Sequence, residues 1–165
     1  MMIEDDGTRI QKMGIVRDNK GRTYEIKVID FLNDELESYL VIFKITRLQR
    51  DAEVGDAKCL IESSKVMKLG DIHIKENVEF SSGYDKWFKL THWFEPTNYQ
   101  KQGLGTLLLN CVIDYAKSRN IEIIYGDLSP DDLQNNPKLV TWYKKFGFIR
   151  KSPLSISLDL RKKND

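Results

Sequence analysis

Apolar and polar residues alternate with a period of two through most of the first half of the chain, the spacing of strands buried on one face. Tyr39–Leu48 shows it best: Leu40, Ile42, Lys44 and Thr46 stand against Val41, Phe43, Ile45 and Arg47. Two more β-rich runs, Ile10–Val16 and Thr23–Phe31, flank the turn-like residues 17–22 and predict a hairpin. Ala57–Glu62, Val66–Lys75 and Lys86–Phe94 read as further strands, separated by Gly, Ser, Asp and Asn. Asn33–Ser38, acidic and short, predicts one helical turn.

After Gly103 the period changes. Leu104, Leu107, Leu108, Cys111, Val112 and Tyr115 recur at three- and four-residue steps, which keeps one helical face apolar until Asn120 closes the segment. Ile121–Tyr125 suits a short buried strand, and Ser129, Pro130 and Asp132 have the spacing of a capping box. A second helix is predicted over Pro137–Phe146, with Asn136 as N-cap and Gly147 as its left-handed stop. Its apolar stripe is Leu139, Val140, Tyr143 and Phe146. The alternating run Ser155–Leu160 predicts a closing strand.

Candidate chemistry gathers where strand gives way to helix, at Gln100-Lys101-Gln102-Gly103-Leu104-Gly105-Thr106. Two glycines let the backbone turn tightly and approach a ligand without a Cβ between them. The following helix points unpaired N–H groups and its positive dipole end at the loop, the physics of an anion cradle. The segment lacks the Gly-Lys-Ser/Thr of a P-loop, and Leu108 occupies the third glycine position of a dinucleotide fingerprint, so both nucleotide readings are weak.

A second motif lies downstream, Asn136-Pro-Lys-Leu-Val-Thr-Trp-Tyr143-Lys-Lys-Phe-Gly147-Phe148. With the Q-x-x-G-x-G loop before it, and in this order along the chain, the sequence resembles the GNAT superfamily of N-acetyltransferases over Lys86–Leu160. The resemblance implies an α/β (α+β) fold: a mixed, twisted, mostly antiparallel sheet with splayed central strands, flanked by helices. The splayed strands would be Lys86–Phe94 and Ile121–Tyr125, with the pantetheine arm of acetyl-CoA between them.

By the same resemblance, backbone groups around Phe94 pair with the pantetheine and offer an oxyanion donor. The amides of Lys101, Gln102, Gly103, Leu104, Gly105 and Thr106, after Gln100, hold the diphosphate. Asn136 either caps its helix or reaches a pantetheine carbonyl. Tyr143 falls where relatives place a hydroxyl near the CoA sulfur, as proton donor to the departing thiolate. The acid some relatives carry on the first splayed strand falls near Phe88, which cannot take a proton. His92 is the preferred base, because imidazole titrates near neutral pH; Glu79, Asp85, Glu95 and Asp127 are alternatives reached through water.

Trp87, Phe88, Trp93 and Phe94 are read as core before acceptor pocket, and the basic residues Lys144, Lys145, Arg150, Lys151 and 161–163 as solvated surface before phosphate contacts. His73, His92, Cys59 and Cys111 show no ligand spacing, so no metal is expected.

Composition bounds the reading. At 165 residues, 41% hydrophobic and 31% charged, the chain fits a single globular domain, with 1–80 a divergent half on the acceptor side and 86–160 the acetyl-CoA core. With 26 basic against 25 acidic residues no bulk field draws it to nucleic acid or an anionic membrane. Two distant cysteines are expected to be reduced, and Met1–Ile10 lacks the basic start and apolar run of a secretory leader, so a cytoplasmic location is expected. The acceptor stays open between small amines and peptide or protein amines, as does a homodimer built on the strand-rich half. A catalytically silent acyl-CoA-binding module is the rival reading.

Overall fold

The computed structural model describes residues 2–3, 8–32, 38–49, 51–76 and 99–162. The strand-rich half is a meander in which each strand pairs antiparallel with the next: β1 (Met2–Ile3), β2 (Thr8–Arg17), β3 (Thr23–Phe31), β4 (Tyr39–Arg47), β5 (Ala52–Ser63) and β6 (Val66–Ile74). The second half adds α1 (Leu104–Ser118), β7 (Ile123–Asp127), α2 (Pro130–Asn135), α3 (Leu139–Lys144), β8 (Ile149–Ser152) and β9 (Ser155–Asp159). All nine strands form one sheet in the order β1-β2-β3-β4-β5-β6-β7-β9-β8, with β6 and β7 parallel. This is the mixed, mostly antiparallel sheet expected.

Alternation decides which face is buried. Tyr24, Ile26 and Val28 of β3, Val41, Phe43 and Ile45 of β4, Ala57, Cys59 and Ile61 of β5, and Met67 and Leu69 of β6 join one core with α1. Helix α1 lies across β4, β5 and β6 and buries Leu104, Leu108, Leu109, Val112, Ile113, Tyr115 and Ala116. Each fully buried Leu or Val contributes about 1.5–3 kcal/mol. The stripe is broader than expected, because Leu109, Ile113 and Ala116 turn inward as well, while Leu107 and Cys111 sit at its margin. Residues of the opposite register carry charge, and Glu25 sits between Lys12 and Lys27 at 2.8 and 3.1 Å.

The hairpin of β2 and β3 turns at residues 18–22, as predicted. Asn33–Ser38, expected as a helical turn, falls with residues 33–37 outside the described residues. Ser129 caps α2 with a reciprocal capping box to Asp132, as its spacing predicts. Gly147 takes φ 88°, the left-handed stop. The start of the last helix differs: α3 begins at Leu139 after Lys138, and Asn136 instead ends α2. The Asn136 carbonyl, not its side chain, accepts from Leu139 N–H at 2.9 Å, so residues 136–139 form a turn between two short helices.

The register of β6 and β7 shapes the site. They pair from Val66 with Ile123 to Leu69 with Gly126, and there the pairing stops. β6 continues through Gly70–Ile74, and its pairing with β5 shifts at the same point, from Lys58 with Asp71 to Cys59 with Leu69, so that Gly70 is the extra residue. β7 meanwhile stays with β9 through Asp127 and Ser155. The two central strands therefore part. β7 takes the place expected for Ile121–Tyr125, with β6 as its parallel neighbour among the described residues; Lys86–Phe94, the other strand expected there, lies outside them.

Helix α1 is anchored to the sheet at its far end by a buried carboxylate. Asp30 of β3 accepts from the Tyr115 hydroxyl at 2.9 Å and from Arg119 Nη2 at 2.9 Å. Tyr115→Phe leaves this buried acceptor short of a donor and is expected to lower stability by about 1–3 kcal/mol, read from urea denaturation midpoints.

Candidate functional site

The loop before α1 is held at both ends and on its side. Tyr99 N–H donates to the Lys75 carbonyl at 3.4 Å, and Gln100 Nε2 to the Ile74 carbonyl at 3.3 Å, which brings the loop's start to the far end of β6. Gln102 accepts at its carbonyl from Asn19 N–H, at 3.3 Å, in the β2–β3 turn. Thr106 Oγ1 accepts from Trp142 Nε1 at 3.2 Å, joining the first turn of α1 to α3.

Between these ties the main chain is unspent. Gly103 precedes the helix in the left-handed conformation, φ 85°, and no side chain caps the helix. Its carbonyl accepts the first helical bond, from Leu107 N–H at 3.1 Å. The amides of 101–106 donate to no described residue. A helix N-terminus with uncapped N–H groups and no acidic residue in its first turn favours an anion.

Tyr143 comes from α3 and lies on the same side of the sheet. It is buried, edge-on to Phe148 with centroids 5.3 Å apart and to Trp142 at 4.7 Å. Its hydroxyl makes no hydrogen bond among the described residues. Burial pushes the phenol up to about 12, and the carboxylates of Asp71 and Asp132 push the same way. At neutral pH the hydroxyl therefore keeps its proton and is a donor. Asp71 follows Gly70, where the pairing of β6 with β7 ends. Cys59, the next contributor, is buried on β5 beside that point, and its thiol is pushed up to about 12 by burial.

The parting strands, the uncapped helix start and the buried phenol thus share one region. Residues 78–148 match the model of the acetyltransferase (GNAT) family. Over that stretch, less than half of the chain, the sequence is similar to this family. The solved structures similar to this chain include Ard1 from Thermoplasma volcanium, at 13% identity and TM-score 0.50 over 72% of this chain and 69% of that one. They also include a GNAT family acetyltransferase from Elizabethkingia anophelis with acetyl-CoA bound, at 14% and 0.51 over 94% and 100%. A third is a cAMP-binding acyltransferase from Mycobacterium smegmatis, at 11% and 0.54, where 92% of this chain covers 48% of that one. At such identities the likeness establishes the fold, and the GNAT resemblance drawn from the two motifs holds. A search of curated proteins finds no match to the chain.

Of the residues singled out from the GNAT resemblance, Gln100, Lys101, Gln102, Gly103, Leu104, Gly105 and Thr106 form the loop just described, and Tyr143 stands by the parted strands. Asn136 is exposed at the end of α2, with no side-chain cap to offer α3. His92 and Phe94 lie outside the described residues, as do Glu79, Asp85, Trp87, Phe88, Trp93 and Glu95. Asp127 is described and engaged with Lys68 at 2.9 Å. Arg150 and Arg161 are committed to the 152–153 carbonyls and to Asp159. Among the described residues Cys59 and Cys111 are free thiols, no group of three His, Cys, Asp or Glu has a metal-holding arrangement, and no helix is long and apolar enough to cross a membrane.

Sequence reasoning passed over Asp71 and weighed His73 only as a metal ligand; both are exposed on the stretch of β6 beyond its pairing with β7. The signal available was Gly70, a glycine inside a strand pattern, which marks a bulge.

Two outcomes follow from this geometry. Gly103→Ala forces a Cβ into the left-handed region, and is expected to lower stability by about 1–2 kcal/mol in chemical denaturation. The second concerns pH. The unfolded Tyr143 phenol ionises near its ordinary 10.0, while the folded one holds its proton to about 12. In that window the unfolded state binds fewer protons, so stability falls as pH rises. Tyr24 and Tyr115, also pushed up by burial, act in the same direction. Urea midpoints measured at about pH 9 and about pH 11 are expected to separate, and Tyr143→Phe to narrow the gap.

Proposed function

We propose that the chain is an N-acetyltransferase that moves the acetyl group of acetyl-CoA directly to a primary amine, of a small molecule or of a peptide or protein, in the cytoplasm. The observation that carries this reading is the run of undonated amides at 101–106, set at the start of a long helix beside the parted strands. A diphosphate fits those donors, and an extended pantetheine arm fits an unpaired strand edge. The acetyl-CoA named with the Elizabethkingia anophelis structure supports the choice of donor, and the family match supports acyl transfer.

In this reading the diphosphate lies on the loop amides and the thioester reaches Gly70 and Asp71. The neutral amine attacks the thioester carbonyl, a main-chain N–H stabilises the developing oxyanion, and Tyr143 protonates the departing thiolate as the carbon–sulfur bond breaks. The attacking nitrogen must also lose a proton. His92 serves that role in the sequence-based proposal, and Asp71, carried on the parted strand within electrostatic reach of Tyr143, is the carboxylate that the fold adds to it. Phe94 and Asn136 keep their proposed contacts to the pantetheine, Asn136 from its exposed position.

Acetyl-CoA is expected to raise the thermal midpoint in a concentration-dependent way, since a ligand bound only by the native state must stabilise it. With an amine panel and detection of released thiol, Tyr143→Phe should keep the midpoint shift but lower turnover ~10²- to 10⁴-fold. Undiminished turnover in Tyr143→Phe removes the phenol from the mechanism. Acetyl-CoA binding with no thiol release from any amine would favour a silent acyl-CoA-binding module.

A further inference from the structure

The β2–β3 turn touches the loop, and no role in the reaction has been given to it. Its residues are unusually well fixed for an exposed hairpin. Asp18 is buried, and its carboxylate accepts from Lys20 N–H and Arg22 N–H at 2.9 Å each, from Arg22 Nε at 2.6 Å and from the Tyr24 hydroxyl at 2.8 Å. These donors hold the Asp18 carboxylate below its ordinary range, against the opposing effect of burial. The turn therefore presents the next residue, Asn19, in one place.

That place is the loop. Besides the bond from Asn19 N–H to the Gln102 carbonyl, the side-chain amide of Asn19 lies flat against Gly103. A Cβ on Gly103 would stand 3.2 Å from Asn19 Oδ1 and 3.4 Å from Nδ2. Asn19 itself is exposed, and neither its Nδ2 nor the amides of 101–106 donate to any of the described residues.

Arg22 is the second observation. Its guanidinium is 9% exposed and stacks 4.9 Å from the centroid of Tyr99, the residue that leads into the loop. Only Nε is used for Asp18, and both Nη1 and Nη2 are buried with no hydrogen-bond partner among the described residues. Unpartnered buried donors are unfavourable unless an acceptor or a negative charge stands near. The Asp18 carboxylate supplies that charge, so the guanidinium and the turn are held as one unit against Tyr99.

We propose that the β2–β3 turn is the second wall of the diphosphate site: Asn19 Nδ2 donates to the diphosphate held by the loop amides, and the Asp18–Arg22 pair fixes the turn that presents it. This rests on the acetyl-CoA reading above. It gives the divergent half of the chain a direct part in holding the coenzyme.

Calorimetric titration with CoA and with dephospho-CoA, which keeps the diphosphate but lacks the 3′-phosphate, tests it. Asn19→Ala is expected to weaken both ligands by about tenfold, the worth of one hydrogen bond to a charged group. Asn19→Asp, which retains the main-chain bond to Gln102, should weaken both further, with a loss that shrinks at high salt. Both variants should keep the ligand-free thermal midpoint. If wild type binds CoA and both variants bind it within about twofold of wild type, the second wall is overturned and the coenzyme reading stands. A loss confined to CoA would place Asn19 at the 3′-phosphate and overturn the diphosphate assignment. If wild type binds neither ligand, both proposals fall together.

Discussion

The arrangement depends on a set of main-chain donors that the fold leaves unspent. Ordinary helices satisfy their first amides with a capping side chain, as Ser129 does for α2. At α1 the capping position is Gly103, which has no side chain to offer, and the groups around it are tied elsewhere. Gln100 turns its side chain back to Ile74, Gln102 gives its carbonyl to Asn19, and Thr106 gives its hydroxyl to Trp142. Each tie removes one way for the loop to cap itself. The loop is tied at three points and its amides donate to none of the described residues, a combination that costs stability unless water or a ligand accepts from them.

The same economy governs the parting of β6 and β7. A parallel pair that ran the full length of both strands would seal the sheet. Gly70 breaks the register of β6 against β5, which turns the strand away just where β7 follows β9 instead. The break leaves a strand edge that pairs with none of the described residues, where an open edge is otherwise a liability. Asp71 is carried on the strand just past this break. A phenol held neutral and a carboxylate in contact with water are groups of opposite task.

Local features were legible in the residues and non-local ones were not. The meander could be read from period-two alternation, α1 from its three- and four-residue steps, and Gly103 and Gly147 from their places at helix ends. The identity of the strand beside β7 could not, since parallel pairing joins segments far apart in sequence and nothing in Val66–Ile74 names its partner. Lys86–Phe94 was the natural choice because it leads directly into the loop. In the fold, Lys75 and Tyr99 meet, so the end of β6 is as close to the loop as that segment is in sequence. Asn136 misled for a related reason. An Asn before Pro has the local chemistry of a cap, but α2 ends at Asn135, and the turn that follows uses the Asn136 carbonyl and delays α3 to Leu139. Asp71 is one acid among 25, and only the bend at Gly70 sets it apart.

Recognition through main-chain groups also bears on how such a fold diverges. Amides at 101–106 and the free edge of β6 are present whatever side chains the residues carry, provided the glycine conformation and the register break survive. The first half of this chain can then be almost wholly strand and still frame the same slot, because it supplies β6 and the turn that braces the loop. Side chains matter where the main chain cannot act: a proton donor, a proton acceptor, and a polar group added at the loop's flank. In the proposed reaction Tyr143 and Asp71 are assigned the first two needs, and Asn19 the third. The chemistry peculiar to this chain should therefore be sought on β6 and in the β2–β3 turn, elements of the half that departs most from the family's pattern.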